Sequence, residues 1–232
     1  MATVAAAGAA SATPSTQIWI PSTDTQPAGT VHLGVDNYTT LMKKTEDGGW
    51  SSPTVYGVTA GVADTPQVGF EAGIDVREHS DFPLSLNAKI QVKEESLMRY
   101  FPAVAFGGYD WGTENEKTNF NILYGLIAKT LPVVGRASIG YYTGNDELLK
   151  DADGKADNSG VLLSWDRTLA EVDDRLWAAV DYMGGKNAYG ALSFGVAWRF
   201  SPNIGALVGY DLYNDEKVGG KNTFTVQFDM DF

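Results

Sequence analysis

The sequence predicts an all-β chain folded as a single up-and-down antiparallel barrel of about twelve strands of membrane-crossing length. Three observations predict it. Segments of about ten residues alternate apolar and polar side chains, the period of a strand with two unlike faces, and about ten residues is the span of a tilted strand across a bilayer. Turn chemistry recurs between these segments, with short turns and longer loops tending to alternate. No window holds the roughly 18 consecutive apolar residues of a transmembrane helix.

Composition agrees and excludes some classes. With Cys 0, the chain has no disulfide and no thiolate metal site. The net charge of -12 and the lack of a basic stripe argue against nucleic acid as a partner. No CxxCH, P-loop or dinucleotide fingerprint is present, so no cofactor is expected.

The chain begins with an Ala-rich stretch over 1–12, in which Ala10-Ser11-Ala12 has the small-x-small form of a signal-peptide cleavage site. It reads as a signal-peptide remnant or as an Ala-rich leader. Residues 13–28 hold three of the prolines and are not a central strand. Their apolar island, Ile18-Trp19-Ile20, reads as part of a periplasmic N-terminal extension that packs at the barrel base or enters the lumen, or as a short extra strand over 16–20.

The barrel is expected over 29–232, with strands near 29–38, 53–63, 67–77, 83–94, 100–111, 119–130, 134–144, 159–169, 174–183, 189–200, 203–213 and 222–232. Three alternate cleanly. Val68, Phe70, Ala72, Ile74 and Val76 share one face, as do Leu84, Leu86, Ala88, Ile90 and Val92, and Leu192, Phe194, Val196, Trp198 and Phe200. In 100–111 and 119–130 both faces carry apolar residues, and the Gly107-Gly108 pair marks a bulge or bend. Tyr and Trp gather at strand ends, which predicts two aromatic belts. One would include Tyr38, Tyr56, Tyr109, Phe120, Tyr141 and Tyr189, the other Phe101, Trp198, Phe200 and Phe232.

The inward phase collects Asp36, Glu71, Asp75, Asp181, Asp211 and Asp229 against Arg77, Lys89, Lys93, Arg136 and Arg199. If the loop at 78–82 is symmetric, Glu71 lies across from Lys89, and cross-strand opposite charges hold register. These residues either pair and fill the interior or line a pore of mixed charge. Inward glycines, among them Gly61, Gly69, Gly195 and Gly209, leave room in the bore and favour a pore.

Two chemical alternatives are weaker. Asp151, Asp153 and Asp157 surround Gly154 in a loop that offers oxygen ligands for calcium but lacks a third early acid and a closing Glu, so a solvated acidic loop is the simpler account and no metal is expected. A hydrolase on the barrel wall would need His32 or His79, and only Ser80 stands beside either in sequence. No enzyme is expected.

The stretch Thr223–Phe232 places Phe224, Val226, Phe228, Met230 and Phe232 on one face and closes on an aromatic. It resembles the last strand of Gram-negative outer-membrane β-barrels of small porin-like type. That resemblance implies a bacterial outer-membrane location, contact with outer-membrane lipid and lipopolysaccharide, and recognition by the barrel-assembly machinery, with those five residues as the assembly signal. Twelve strands also resembles substrate-selective channels, the outer-membrane phospholipase and autotransporter translocators. Neither a long passenger with a central helix nor the strongly basic lumen of acidic-sugar channels is found. The expected function is passive diffusion of small hydrophilic solutes or ions through a monomeric channel. The alternative is a non-conducting structural or adhesion barrel whose loops bind an external partner.

Overall fold

A computed structural model describes residues 13–41, 53–78 and 80–232. The leader at 1–12, most of the first long loop and His79 lie outside the described residues. The strands are β1 Val31–Thr39, β2 Thr54–Asp64, β3 Val68–Arg77, β4 Leu84–Val92, β5 Ala103–Gly112, β6 Asn119–Leu131, β7 Gly135–Thr143, β8 Ser159–Thr168, β9 Leu176–Met183, β10 Ala191–Ser201, β11 Ile204–Tyr213 and β12 Thr223–Asp231. Each pairs antiparallel with its neighbours in sequence, and β12 pairs with β1 to close the barrel. The seam is continued by Val31 N–H donating to Phe232 O and Phe232 N–H donating to Val31 O, at 3.0 and 2.9 Å. Closure leaves no unpaired edge. Among the described residues there is no helix.

The twelve expected strands are therefore present, with ends shifted by a few residues. The largest shift is at β5, which begins at Ala103. Glu95 and Tyr100 have φ of 57° and 66°, and the Glu95 N–H donates to Phe101 O at 2.9 Å, so this connection is a longer folded turn.

The period-2 pattern sorts into two faces. On the outside, Val58, Ile74, Leu86, Phe106, Ile139 and Phe194 are exposed, as are Val226, Phe228 and Phe232. On the inside of β12, Thr223, Thr225, Gln227 and Asp229 are buried. An oily exterior around a buried polar strand face is the reverse of a soluble β-sandwich.

The aromatic belts need correction. Tyr56 and Tyr141 face outward, but Tyr38, Tyr109, Phe120 and Tyr189 line the interior. Tyr38 shares the parity of His32 and Asp36, so its position at a strand end says nothing about which face it occupies.

The inner wall is not uniformly polar. On β6 to β9, Ile122, Tyr124, Leu126, Tyr142, Leu162 and Met183 form a buried apolar cluster with Ile20. A second cluster joins Trp177, Ala179, Ala197 and Leu207 to Ile18. This explains why β5 and β6 read as apolar on both faces: one side meets the exterior and the other meets the N-terminal segment.

Candidate functional site: the occupied lumen

Residues 13–26 lie inside the barrel, and Pro27 and Ala28 are exposed where the chain leaves it. They do not form a strand: a single bridge joins Thr16 and Pro21, closed by Gln17 N–H to Ile20 O and Ser22 N–H to Ser15 O. The result is a tight hairpin with Ile18 and Trp19 at its tip. The chain then passes Gln26 and Pro27, turns at Gly29 with φ of 85°, and enters β1. A positive φ is open to glycine at little cost, which suits the sharp exit from the lumen.

The wall grips this hairpin from every side. Asp181 Oδ2 on β9 accepts from the backbone N–H groups of Ile18 and Trp19 at 2.8 and 2.9 Å. Gln17 Nε2 donates to Asp166 Oδ1 on β8 at 2.9 Å, and Arg136 on β7 pairs with both Asp166 and Asp24. Gln227 on β12 donates to Ile18 O, and the Thr25 N–H donates to Gln91 on β4. Ile20, Gln17 and Gln26 are 0–1% exposed. The bore is filled at this level.

Glu71 and Lys89 form the central clamp. They are register partners on β3 and β4, with Nζ to Oε1 at 3.0 Å. Glu71 Oε2 accepts from Ser15 Oγ at 2.8 Å and from the Gln26 N–H at 2.6 Å, while Lys89 Nζ donates to Ser15 O at 2.8 Å. One ion pair thus ties both arms of the hairpin to the wall.

The inward glycines have a different role from the one the sequence implied. A Cβ on Gly61 would stand 1.9 Å from Pro27 O, and one on Gly69 would stand 2.1 Å from Thr25 Oγ1. Cβ atoms on Gly195 and Gly209 would sit 3.3 and 3.4 Å from Ile18. These glycines make room for the segment and do not leave an open bore.

The placement of the segment has a direct test. The Cβ that Gly69 lacks would lie 3.3 Å from Thr25 Cβ, close to the roughly 3.5–4.5 Å of a disulfide. With no native cysteine to compete, Thr25→Cys with Gly69→Cys is expected to oxidise to one intramolecular bond in the folded barrel. Two free thiols under mild oxidation would place the segment elsewhere.

Beyond the hairpin, toward the longer loops, lies a cavity of about 450 Å³. Ser15, Thr16, Trp19 and Pro21 form its floor, and Pro53, Ala188 and Gly219 stand at its rim. Its wall carries Asp36, Asp75, Arg77 and Asp110 with a group of aromatic rings. Trp19 meets Tyr38 and Tyr213 edge-on, at centroid distances of 5.2 and 5.7 Å.

Asp110 was not evident in the sequence. Ladder irregularities on both sides of β5 turn it inward, with φ of 52°, just after the glycine pair. It accepts from Arg77 at 3.2 Å and from the Tyr189 hydroxyl at 2.5 Å. Burial pushes the Tyr189 phenol well above its usual range, so it remains a donor.

The remaining expected site residues fall as follows. Asp211, 0% exposed, accepts from Thr223 Oγ1, and Asp229 holds His32 Nε2 at 3.1 Å. Lys93 pairs with Asp64 near the short-turn end, and Arg199 sits opposite Gly205 on the inner face. Asp36, Glu71, Asp75, Arg77 and Lys89 line the cavity, Glu71 and Lys89 as an ion pair, while Arg136, Asp181 and Asp229 are covered or paired. The set shares one wall but does not line a single open pore.

Two carboxylates of the acidic loop, Asp151 and Asp157, are engaged by backbone donors. Asp151 Oδ1 accepts from the backbone of Asp153 and Lys155, and Asp157 accepts from the Lys186 N–H. Among the described residues no His, Cys, Asp and Glu group has a metal-holding arrangement. Both ring nitrogens of His32 are engaged, Nδ1 by Asp231 at 2.7 Å and Nε2 by Asp229, and neither faces a serine.

Fold and lumen together define a closed twelve-stranded antiparallel β-barrel filled at one level by its own residues 13–26. The architecture is similar to a solved structure described as KdgM porin, at 9% identity and a TM-score of 0.54, over 88% of this chain and 99% of that one. It is also similar to an outer membrane channel from Pseudomonas putida F1, at 12% identity and a TM-score of 0.49, over 90% of this chain and 98% of that one. No family model and no curated protein matches the sequence.

Proposed function

We propose that this protein is a bacterial outer-membrane channel for small hydrophilic solutes, its bore closed in this structure by residues 13–26. The observation that carries this reading is how the closing segment is held. Most of its anchors, Glu71, Lys89, Asp166, Arg136, Asp181 and Gln227, are polar groups that water could satisfy once the segment leaves. A permanent filling would gain little from so many charges, since burying them offsets much of their attraction. The likeness to a porin supports the fold side of this reading. Planar-bilayer conductance of the intact chain and of a chain lacking residues 13–26 tests it: current is expected from the second, and silence from both would overturn it.

The second reading, a non-conducting barrel with loops for an external partner, draws support from Ile18 and Ile20. They are 2% and 0% exposed and bind the segment into two apolar clusters. The same conductance measurement separates the two readings.

Membrane placement has its own test. Val226 is 40% exposed on the outer face of β12. Val226→Lys is expected to cost about 2–4 kcal/mol of stability in lipid vesicles if the site lies near the bilayer midplane. Equal stability of the two proteins, measured by urea unfolding in vesicles, would remove the lipid from this face.

A further inference from the structure

We propose that the cavity above the hairpin binds a small organic cation, a primary ammonium or guanidinium group on a compact body. The inference deepens the channel reading and rests on it for how the solute arrives, but the binding itself is measured without it.

The argument begins with charge. The cavity wall holds the carboxylates Asp36, Glu71, Asp75 and Asp110 and the cations Arg77 and Lys89. Lys89 is committed to Glu71 at 3.0 Å and Arg77 to Asp110 at 3.2 Å. Asp36 and Asp75 are left over. Asp75 Oδ2 accepts only from Asn87, at 2.7 Å, and no described residue donates to Asp36. The nearest histidine along β1, His32, is held by Asp229 and Asp231.

Their placement brings them toward one another. Gly57 stands between them on β2, opposite Asp75, and a Cβ there would lie 2.9 Å from Asp75 Oδ1. The missing side chain lets the Asp75 carboxylate lean over β2 toward β1, which carries Asp36. Two partly buried carboxylates facing one space favour a cation between them.

Two further features decide which kind. Trp19, Tyr38 and Tyr213 present rings to the same cavity, and an organic cation gains from an aromatic face. A hard metal ion prefers several oxygen ligands and gains nothing from them. Independently, Tyr124 lines the cavity at 8% exposure, and among the described residues its hydroxyl meets no hydrogen-bond partner. A hydroxyl on a largely buried ring, without a protein partner and at a cavity wall, is a place for a ligand's polar group. The volume of about 450 Å³ is in the range of small-molecule pockets.

Isothermal titration of the full chain in detergent with benzylamine, benzyl alcohol and benzoate tests the proposal. Benzylamine is expected to bind saturably and the other two not to bind. Asp36→Asn and Asp75→Asn are each expected to weaken benzylamine roughly tenfold or more, the loss of one charged hydrogen bond. Equal binding of benzyl alcohol to the unaltered protein would overturn the proposal and leave only an apolar pocket, and this comparison needs no variant to fold. No benzylamine binding, or unchanged binding in the Asp36→Asn and Asp75→Asn double variant, would also overturn it. Either failure with conductance still present in the chain lacking 13–26 leaves the channel standing, while binding without conductance removes the channel and keeps the site.

Discussion

Removal of residues 13–26 is expected to turn a silent barrel into a conducting one, with mean current at fixed voltage rising ~10-fold or more because water replaces protein in the lumen. The barrel should survive the deletion. Every strand pairs with two others and the seam between β1 and β12 begins at Val31, beyond the deleted part. The lost burial of Ile18 and Ile20 is worth about 1.5–3 kcal/mol each. Against it stands the released ordering of the segment, roughly 1–2 kcal/mol per residue. The anchors left behind, Glu71, Lys89, Asp166 and Asp181, become hydrated instead of unpaired. Intact β-content by circular dichroism with no current would show that something other than this segment closes the bore.

Replacement of Glu71 by Ala is expected to release the segment without deleting it. The change strands the Lys89 ammonium, 3% exposed, without its ion-pair partner, and breaking such a buried pair costs about 3–5 kcal/mol. It also removes the acceptor of Ser15 Oγ and the Gln26 N–H. The least costly relief is for the hairpin to leave and water to reach Lys89, so the penalty appears as undocking and not as loss of the barrel. Proteinase K should then cut within residues 13–28, and spontaneous current should appear. Glu71→Ala combined with Lys89→Ala should undo part of the effect, because no charge is left buried alone, and the cycle should depart from additivity by 0.5–3 kcal/mol, roughly the range for groups in contact. Protection equal to the unaltered chain, or an additive cycle, would remove the clamp from this account.

Other parts of the segment's seat were only half visible in the sequence. Gly61 and Gly69 were legible as inward-facing, but what they face was not. Asp110 was hidden because β5 carries ladder irregularities, and a slip in register moves a side chain to the other face. Asp24 and Gln26, in a Pro- and Thr-rich stretch, gave no sign of their partners Arg136 and Glu71. In sequence Tyr38 and Tyr189 look like membrane-belt residues, because aromatic character at a strand end is common to both faces.

The sequence by itself determined the twelve strands, which side chains look inward along β3, β4, β10 and β12, and, for a symmetric 78–82 loop, the pairing of Glu71 with Lys89. Those features follow from period-2 alternation and from pairings between adjacent strands, both local along the chain. Only the tertiary structure decided that the bore is occupied, that its inner wall is polar on one side and apolar on the other, and that two carboxylates remain over above the hairpin. These depend on contacts such as Gln17 with Asp166 and Ile18 with Gln227, separated by 149 and 209 residues, and no local pattern encodes a partner that distant.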